Sequence, residues 1–154
     1  MATLQAWPED SWVWCRQILE EQRQISAIFR VCLYEGVEEQ NYGLITLLTP
    51  RIRERAERIL YLSRKIATFI PSKGRPPKWG EIILDINALS TQITKVVDKI
   101  HQEAKTNRFI VVTRLLEIGQ AKSQQIAERF EIIPVPQEID GIPAIFYQEM
   151  RDGE

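Results

Sequence analysis

The sequence predicts an all-α protein: a four-helix bundle with a short irregular or hairpin-like C-terminal extension. Three observations carry that prediction. Apolar residues recur at intervals of three and four over long stretches, which is the period of one helix face and not of a strand. The prolines fall between these stretches or gather after residue 130, where they interrupt nothing helical. The chain has 154 residues, 44% of them hydrophobic and 27% charged, a balance that suits one domain around one core. That domain is read as residues 1–154, with the bundle over about 11–130 and the extension over 131–154.

The first helix should start after Pro8-Glu-Asp-Ser11, where Asp10 or Ser11 can cap free amides, and run to about Glu35. Its inward stripe is Cys15, Ile18, Ile25, Phe29 and Cys32, with Gln22 in one slot as a register-fixing hydrogen bonder or a bundle-edge residue. Glu38 to Leu48 reads as a short separate helix. Thr49-Pro50 then reads as an N-cap followed by proline at the first helical position, opening a second main helix to about Phe69 that buries Ile52, Ala56, Ile59, Ser63 and Ile66. After the linker Pro71-Ser-Lys-Gly-Arg-Pro-Pro-Lys-Trp-Gly80, with Trp79 poised to pack, Ile82, Ile86, Leu89, Ile93, Val96 and Ile100 form a heptad seam. Thr106-Asn107 offers a cap for a fourth helix, Phe109 to about Phe130, an unbroken helix being the alternative. Beyond it, Ile132–Val135 and Ile142–Tyr147 can pair around Asp140-Gly141 as an edge hairpin, or form an irregular arm. Trp7, Trp12 and Trp14 either close one end of the bundle or form a partner-binding patch.

Composition removes several function classes. No apolar run exceeds four residues, so neither a bilayer-spanning helix nor the core of a secretory signal is expected, and the protein is placed in the cytoplasm. Cys15 and Cys32 stand about 25 Å apart along one helix and cannot bridge each other. Two thiols and one histidine fall short of a structural zinc site. Phosphate loops, dinucleotide-binding glycines, nucleophile elbows and HExxH pairs are missing. His101, beside the third seam, reads as a half-exposed helix residue before a catalytic base. No catalytic, metal or cofactor-binding residue is therefore assigned, and no cofactor or small-molecule substrate is expected.

Charge is nearly balanced overall but unevenly placed. Residues 1–50 hold 3 basic and 7 acidic side chains, residues 51–78 hold 9 and 2, and residues 79–154 hold 8 and 12. The middle block thus carries a surplus of seven positive charges between two segments of net charge −4. On a helix, Arg51, Arg55, Arg58 and Lys65 share one flank of the buried stripe and Arg53 and Arg64 the other, with Glu54 and Glu57 available to Arg58 and its neighbours. Lys73, Arg75 and Lys78 extend the block into the linker. A surface of this kind attracts phosphate with little base reading, or docks on an acidic protein.

Several stretches resemble known families. Glu35-Gly-Val-Glu38 resembles the first carboxylate pair of the helical nucleotide pyrophosphohydrolases, which would imply a metal site. No Glu-x-x-Asp follows on the third helix, where Glu81 and Asp85 suit a helix N-terminus instead. Ser123-Gln-Gln-Ile-Ala-Glu-Arg-Phe130 resembles the first helix of a helix-turn-helix, but Ile133-Pro-Val-Pro-Gln137 follows where a recognition helix is needed. Lys73-Gly-Arg-Pro76, flanked by Lys78, resembles the AT-hook core, with Lys in place of its first Arg, and sits between helices where that family uses tails. The bundle with its basic surface of Arg51, Arg55, Arg58, Lys65, Lys73, Arg75 and Lys78 resembles the small helical subunits of CRISPR effector complexes in architecture over residues 11–130. That resemblance implies a non-catalytic subunit that steadies nucleic acid through its backbone, its partners being nucleic acid and other subunits or a second copy, with no membrane. A protein-only adaptor or homodimer, with the aromatic patch or the third-helix seam as interface, is the alternative, and a metal-dependent helical hydrolase the third reading.

Overall fold

Apolar stripes spaced for helices require neighbours to cover them, and in the computed structural model four helices cover one another. The structure describes residues 6–136 throughout and, beyond them, positions 138, 139, 142 and 143. The helices are α1 (Trp12–Val31), α2 (Tyr42–Ala67), α3 (Lys78–Lys105) and α4 (Phe109–Ile132). Each packs on the next and α4 returns to α1, so one continuous core runs through the bundle. No described helix is long and apolar enough to cross a membrane. The all-α bundle expected from the sequence is the observed fold.

In α1 every expected core position is buried, Gln22 included. Ser11 does not cap the helix through its side chain; its hydroxyl donates to the Pro8 carbonyl at 2.7 Å, inside a short 3₁₀ turn over Glu9–Ser11. The helix widens into a π-helical segment, Cys32–Val37, before the chain turns.

The largest correction concerns Thr49-Pro50. There is no separate helix over 38–48 and no cap at Thr49, because α2 begins at Tyr42 and runs through Pro50. The true start signal is Asn41, whose side-chain oxygen accepts the Leu44 amide at 3.0 Å, preceded by Gln40 in the left-handed region at φ 53°. Proline removes one amide and leaves the Thr46 carbonyl without its helical donor. Pro50 is exposed, which leaves that carbonyl to water, while Thr49 is fully buried and holds His101 Nδ1 through its hydroxyl at 2.8 Å. Packing on α3 holds the helix together where local propensity would end it.

In α3 the seam runs in the neighbouring register. Val97 is buried and Val96 only half-buried, and Trp79, Ile83, Ile86, Ser90, Ile93, Val97, Ile100 and Ala104 are buried at alternating steps of four and three, with Ile82 and Leu89 buried beside them. Helices α3 and α4 are separate, as one of the two readings had it. Thr106-Asn107 acts as the stop of α3, with Thr106 Oγ1 donating to the Glu103 carbonyl at 2.9 Å and Asn107 at φ 57°. The N-cap of α4 is Arg108.

Trp7 closes one end. It is buried, lies 5.3 Å from Phe130 and 6.3 Å from Trp79 between ring centroids, and donates from Nε1 to the Ile133 carbonyl at 2.6 Å. Trp12 and Trp14 are half-buried. Residues 132–135 do not form the first strand of a hairpin: α4 extends to Ile132, and the antiparallel pairing is β1 (Glu138–Ile139) with β2 (Ile142–Pro143), in register Ile139 to Ile142. The dipeptide Asp140-Gly141 and the rest of the expected second strand, 144–147, lie outside the described residues.

Candidate nucleic-acid interface

Buried positions of α2 recur every three or four residues, so the residues one step round the helix form a second stripe beside the α1 contact. Arg51, Arg55 and Arg58 occupy it and line a groove of about 480 Å³ between α1 and α2, together with Glu21, Gln24, Ile28, Leu48 and Glu54. One carboxylate organises the groove. Glu21, only 14% exposed, receives Arg55 Nη1 at 3.1 Å and faces Arg58 Nε at 3.8 Å. Arg51 meets no carboxylate within ion-pair distance among the described residues.

On the other flank Arg53 is neutralised, while the exposed Arg64 meets no carboxylate within ion-pair distance among the described residues. Arg53 pairs with Glu57 at 3.0 Å along α2 and with Asp98 of α3. Its hydrogen bond to Asp98 is the main cause that raises its pKa. Glu57 therefore serves the neighbouring Arg53, one of the pairings expected, whereas Arg58 turns to Glu21 instead of Glu54 or Glu57.

Lys65 continues the first stripe two turns on from Arg58. Its ammonium lies 4.8 Å from the Tyr61 ring centroid and 5.2 Å from that of Trp14, a cation–π arrangement that fixes both rings. Trp14 stacks on Phe69 at 6.0 Å with 27° between planes. Lys73 and Arg75 stand exposed in the linker, where Gly74 at φ 83° takes a turn that any side chain would strain. Lys78 belongs to the first turn of α3, and its ammonium lies 3.7 Å from Glu81. Of the seven residues predicted, the structure gathers Arg51, Arg55 and Arg58 in one groove and sets Lys65 on the same stripe. It leaves Lys73 and Arg75 on the loop and draws Lys78 into a local pair.

Sequence reasoning missed Glu21, Tyr61 and Phe69. Tyr61 and Phe69 stood in view at steps of three and four from Arg58 and Lys65. Glu21 had no signal, since the partner of an arginine thirty-four positions away is decided by packing.

Other chemistry is dispersed. Among the described residues no group of three or more His, Cys, Asp and Glu side chains is placed to hold a metal ion. Glu35 ends up beyond α1, whereas Glu81 pairs with Lys78 and Asp85 lies 3.8 Å from Arg129 at the other end of the bundle. Burial pushes the Cys15 and Cys32 thiols up to about 12, leaving both inert at neutral pH. Comparison of the chain with family models, with curated proteins and with solved structures returned no match.

Proposed function

We propose that this protein is a non-catalytic, cytoplasmic helical-bundle subunit of a nucleoprotein assembly. It contacts nucleic-acid backbone through the α1/α2 groove and the adjoining linker, as the likeness to CRISPR effector small subunits suggests. The observation that supports this reading best is the groove itself: three arginines line it, of which Arg55 and Arg58 share one half-buried carboxylate and Arg51 has none within ion-pair distance among the described residues. Glu21 can neutralise one of them. Guanidinium groups held this way present forked donors to phosphate oxygens, and Glu21 restricts their rotamers before a ligand arrives. Contacts to phosphate carry no base identity, so binding should be weakly sequence-dependent and steeply salt-dependent, with a slope near 0.9 for each phosphate engaged.

The test is fluorescence anisotropy of labelled single strand and duplex across a salt series. Binding should strengthen at low salt and disappear when Arg51, Arg55 and Arg58 are replaced by Glu in a protein whose helical circular dichroism is unchanged. Absence of binding at low salt refutes the proposal, as does binding that survives the triple replacement.

One observation favours a second reading, self-association. Phe109, Ile110 and Val111 open α4 at 43%, 79% and 37% exposure, an apolar run that a second copy can cover. The α3 seam, by contrast, is consumed by the core, and Trp7 is enclosed. Sedimentation of the wild type beside Ile110→Glu decides it: a dimer that the substitution dissolves supports the reading, and a monomeric wild type removes it.

A further inference from the structure

Beyond the basic groove, the same stripe of α2 carries exposed aromatic rings. Along α2, Arg51, Arg55, Arg58, Tyr61 and Lys65 follow one another at steps of three and four, and Phe69 comes one turn after Lys65, just past the helix end. Tyr61 is 54% exposed and Phe69 39% exposed. Large aromatic rings left in water cost solvation, and neither belongs to the buried core. Each ring is nevertheless held in place, Tyr61 by the Lys65 ammonium and Phe69 by its stack on Trp14.

We infer that this stripe is a binding site for single-stranded nucleic acid, with phosphates on Arg51, Arg55 and Arg58 and unpaired bases stacked on Tyr61 and Phe69. The inference rests on the backbone-binding reading above and adds the class of strand. A basic track that leads to ordered rings is the arrangement by which proteins hold single strands without reading sequence, because every base has a π-face. A duplex keeps its bases stacked on one another and offers those rings nothing. From Arg51 to Lys65 the stripe rises roughly 21 Å, the axial length of about six phosphates in a stacked strand. An acidic polypeptide matches the arginines and leaves the rings without a partner.

Three labelled probes of equal charge separate the possibilities: an oligothymidylate, the corresponding abasic strand, and a duplex of half the length. The oligothymidylate should bind tightest. Tyr61→Ala and Phe69→Ala should each weaken it by about 5- to 100-fold and leave the abasic strand unaffected, while Tyr61→Phe should retain wild-type binding. Tyr61→Ala carries the decision, because that side chain is more than half in solvent and its loss leaves the core intact. Equal affinity for all three probes, or indifference to Tyr61→Ala, overturns the single-strand inference and leaves the backbone reading standing. Binding to none of them overturns both. Displacement of the oligothymidylate by polyglutamate as readily as by unlabelled strand shows that charge alone is recognised and overturns the stacking.

Discussion

The two seams that close this bundle are built on opposite principles. The buried side chains of α2 and α3, the pair in most extensive contact, are mostly branched aliphatics, Ile52, Ile59, Leu62 and Ile66 on one helix and Ile82, Ile83, Ile86, Ile93 and Ile100 on the other. Polar bonds across that seam, Asn87 Nδ2 to Ser63 Oγ at 2.8 Å and Thr49 to His101, join its margins. Between α1 and α4 the helices approach closely over small and polar residues. Gln22 Nε2 donates to Ser26 Oγ at 3.0 Å and to the Ser123 carbonyl at 3.1 Å, and the Ser26 and Ser123 hydroxyls lie 2.7 Å apart. The Phe29 ring fills the space that a side chain at position 119 would need. One seam is stabilised by volume and tolerates exchange among similar shapes; the other specifies a register and tolerates little.

Truncating the aliphatic seam should have the largest effect. Ile86→Ala should lower the unfolding free energy in urea by about 2–5 kcal/mol, since it removes buried methylenes and leaves a cavity. Ile86→Leu should lose less than about 1.5 kcal/mol, and an equal loss for both would show that this seam is shape-specific after all. Gly119→Ala comes next. Overpacking against the enclosed Phe29 ring costs about 1–3 kcal/mol, offset in part by the roughly 1 kcal/mol that alanine gains over glycine in a helix. A net stabilisation would mean the close approach of α1 and α4 relaxes freely. Ser123→Ala removes the hydroxyl that Ser26 Oγ meets at 2.7 Å, leaving Ser26 only the bond it accepts from Gln22, and should cost about 1–2 kcal/mol. Combined with Gln22→Leu it should cost less than the sum of the two, since both act in one network.

The smallest effect at neutral pH belongs to the thiols. Burial moves Cys15 and Cys32 from an ordinary 9.0 to about 12. The folded chain therefore keeps protons that the unfolded chain releases, so stability is at its full value below pH 9 and falls as pH rises toward 12. Chemical denaturation at pH 7 and at pH 10.5 should show that loss for the wild type and a smaller one for Cys15→Ala. An aromatic disulfide reagent at pH 8 should label neither thiol before denaturation.

The same contrast separates what was legible from what was not. Inward residues of α1 and α2 could be read from spacing because an apolar side chain goes inside whatever it meets there. Pro50 misled because helix breaking is a local tendency of a few kcal/mol, and tertiary burial of Ile45, Thr49 and Ile52 around it outweighs that. Val96 misled because the buried heptad through Ile83, Ile86, Ile93, Val97 and Ile100 has Ser90 in one slot, so apolar spacing alone favoured the neighbouring register. In the candidate site, Arg51, Arg55, Arg58 and Lys65 were visible as a charge surplus with helical spacing. Which of them would be paired was not, since Glu21, the partner of Arg55 and Arg58, comes from another helix.

By itself, the sequence determined the class of fold, most of the core face and the concentration of positive charge in residues 51–78. These follow from periodicity and composition, which act between neighbours on one helix. The tertiary structure decided the continuity of α2 through Pro50, the break between α3 and α4, the register of α1 on α4, and which arginines of the basic block are paired, Arg53 with Asp98 and Arg55 and Arg58 with Glu21. Those are outcomes of contact between segments far apart in the chain, where the energy of burial exceeds any local preference and no single segment carries the information.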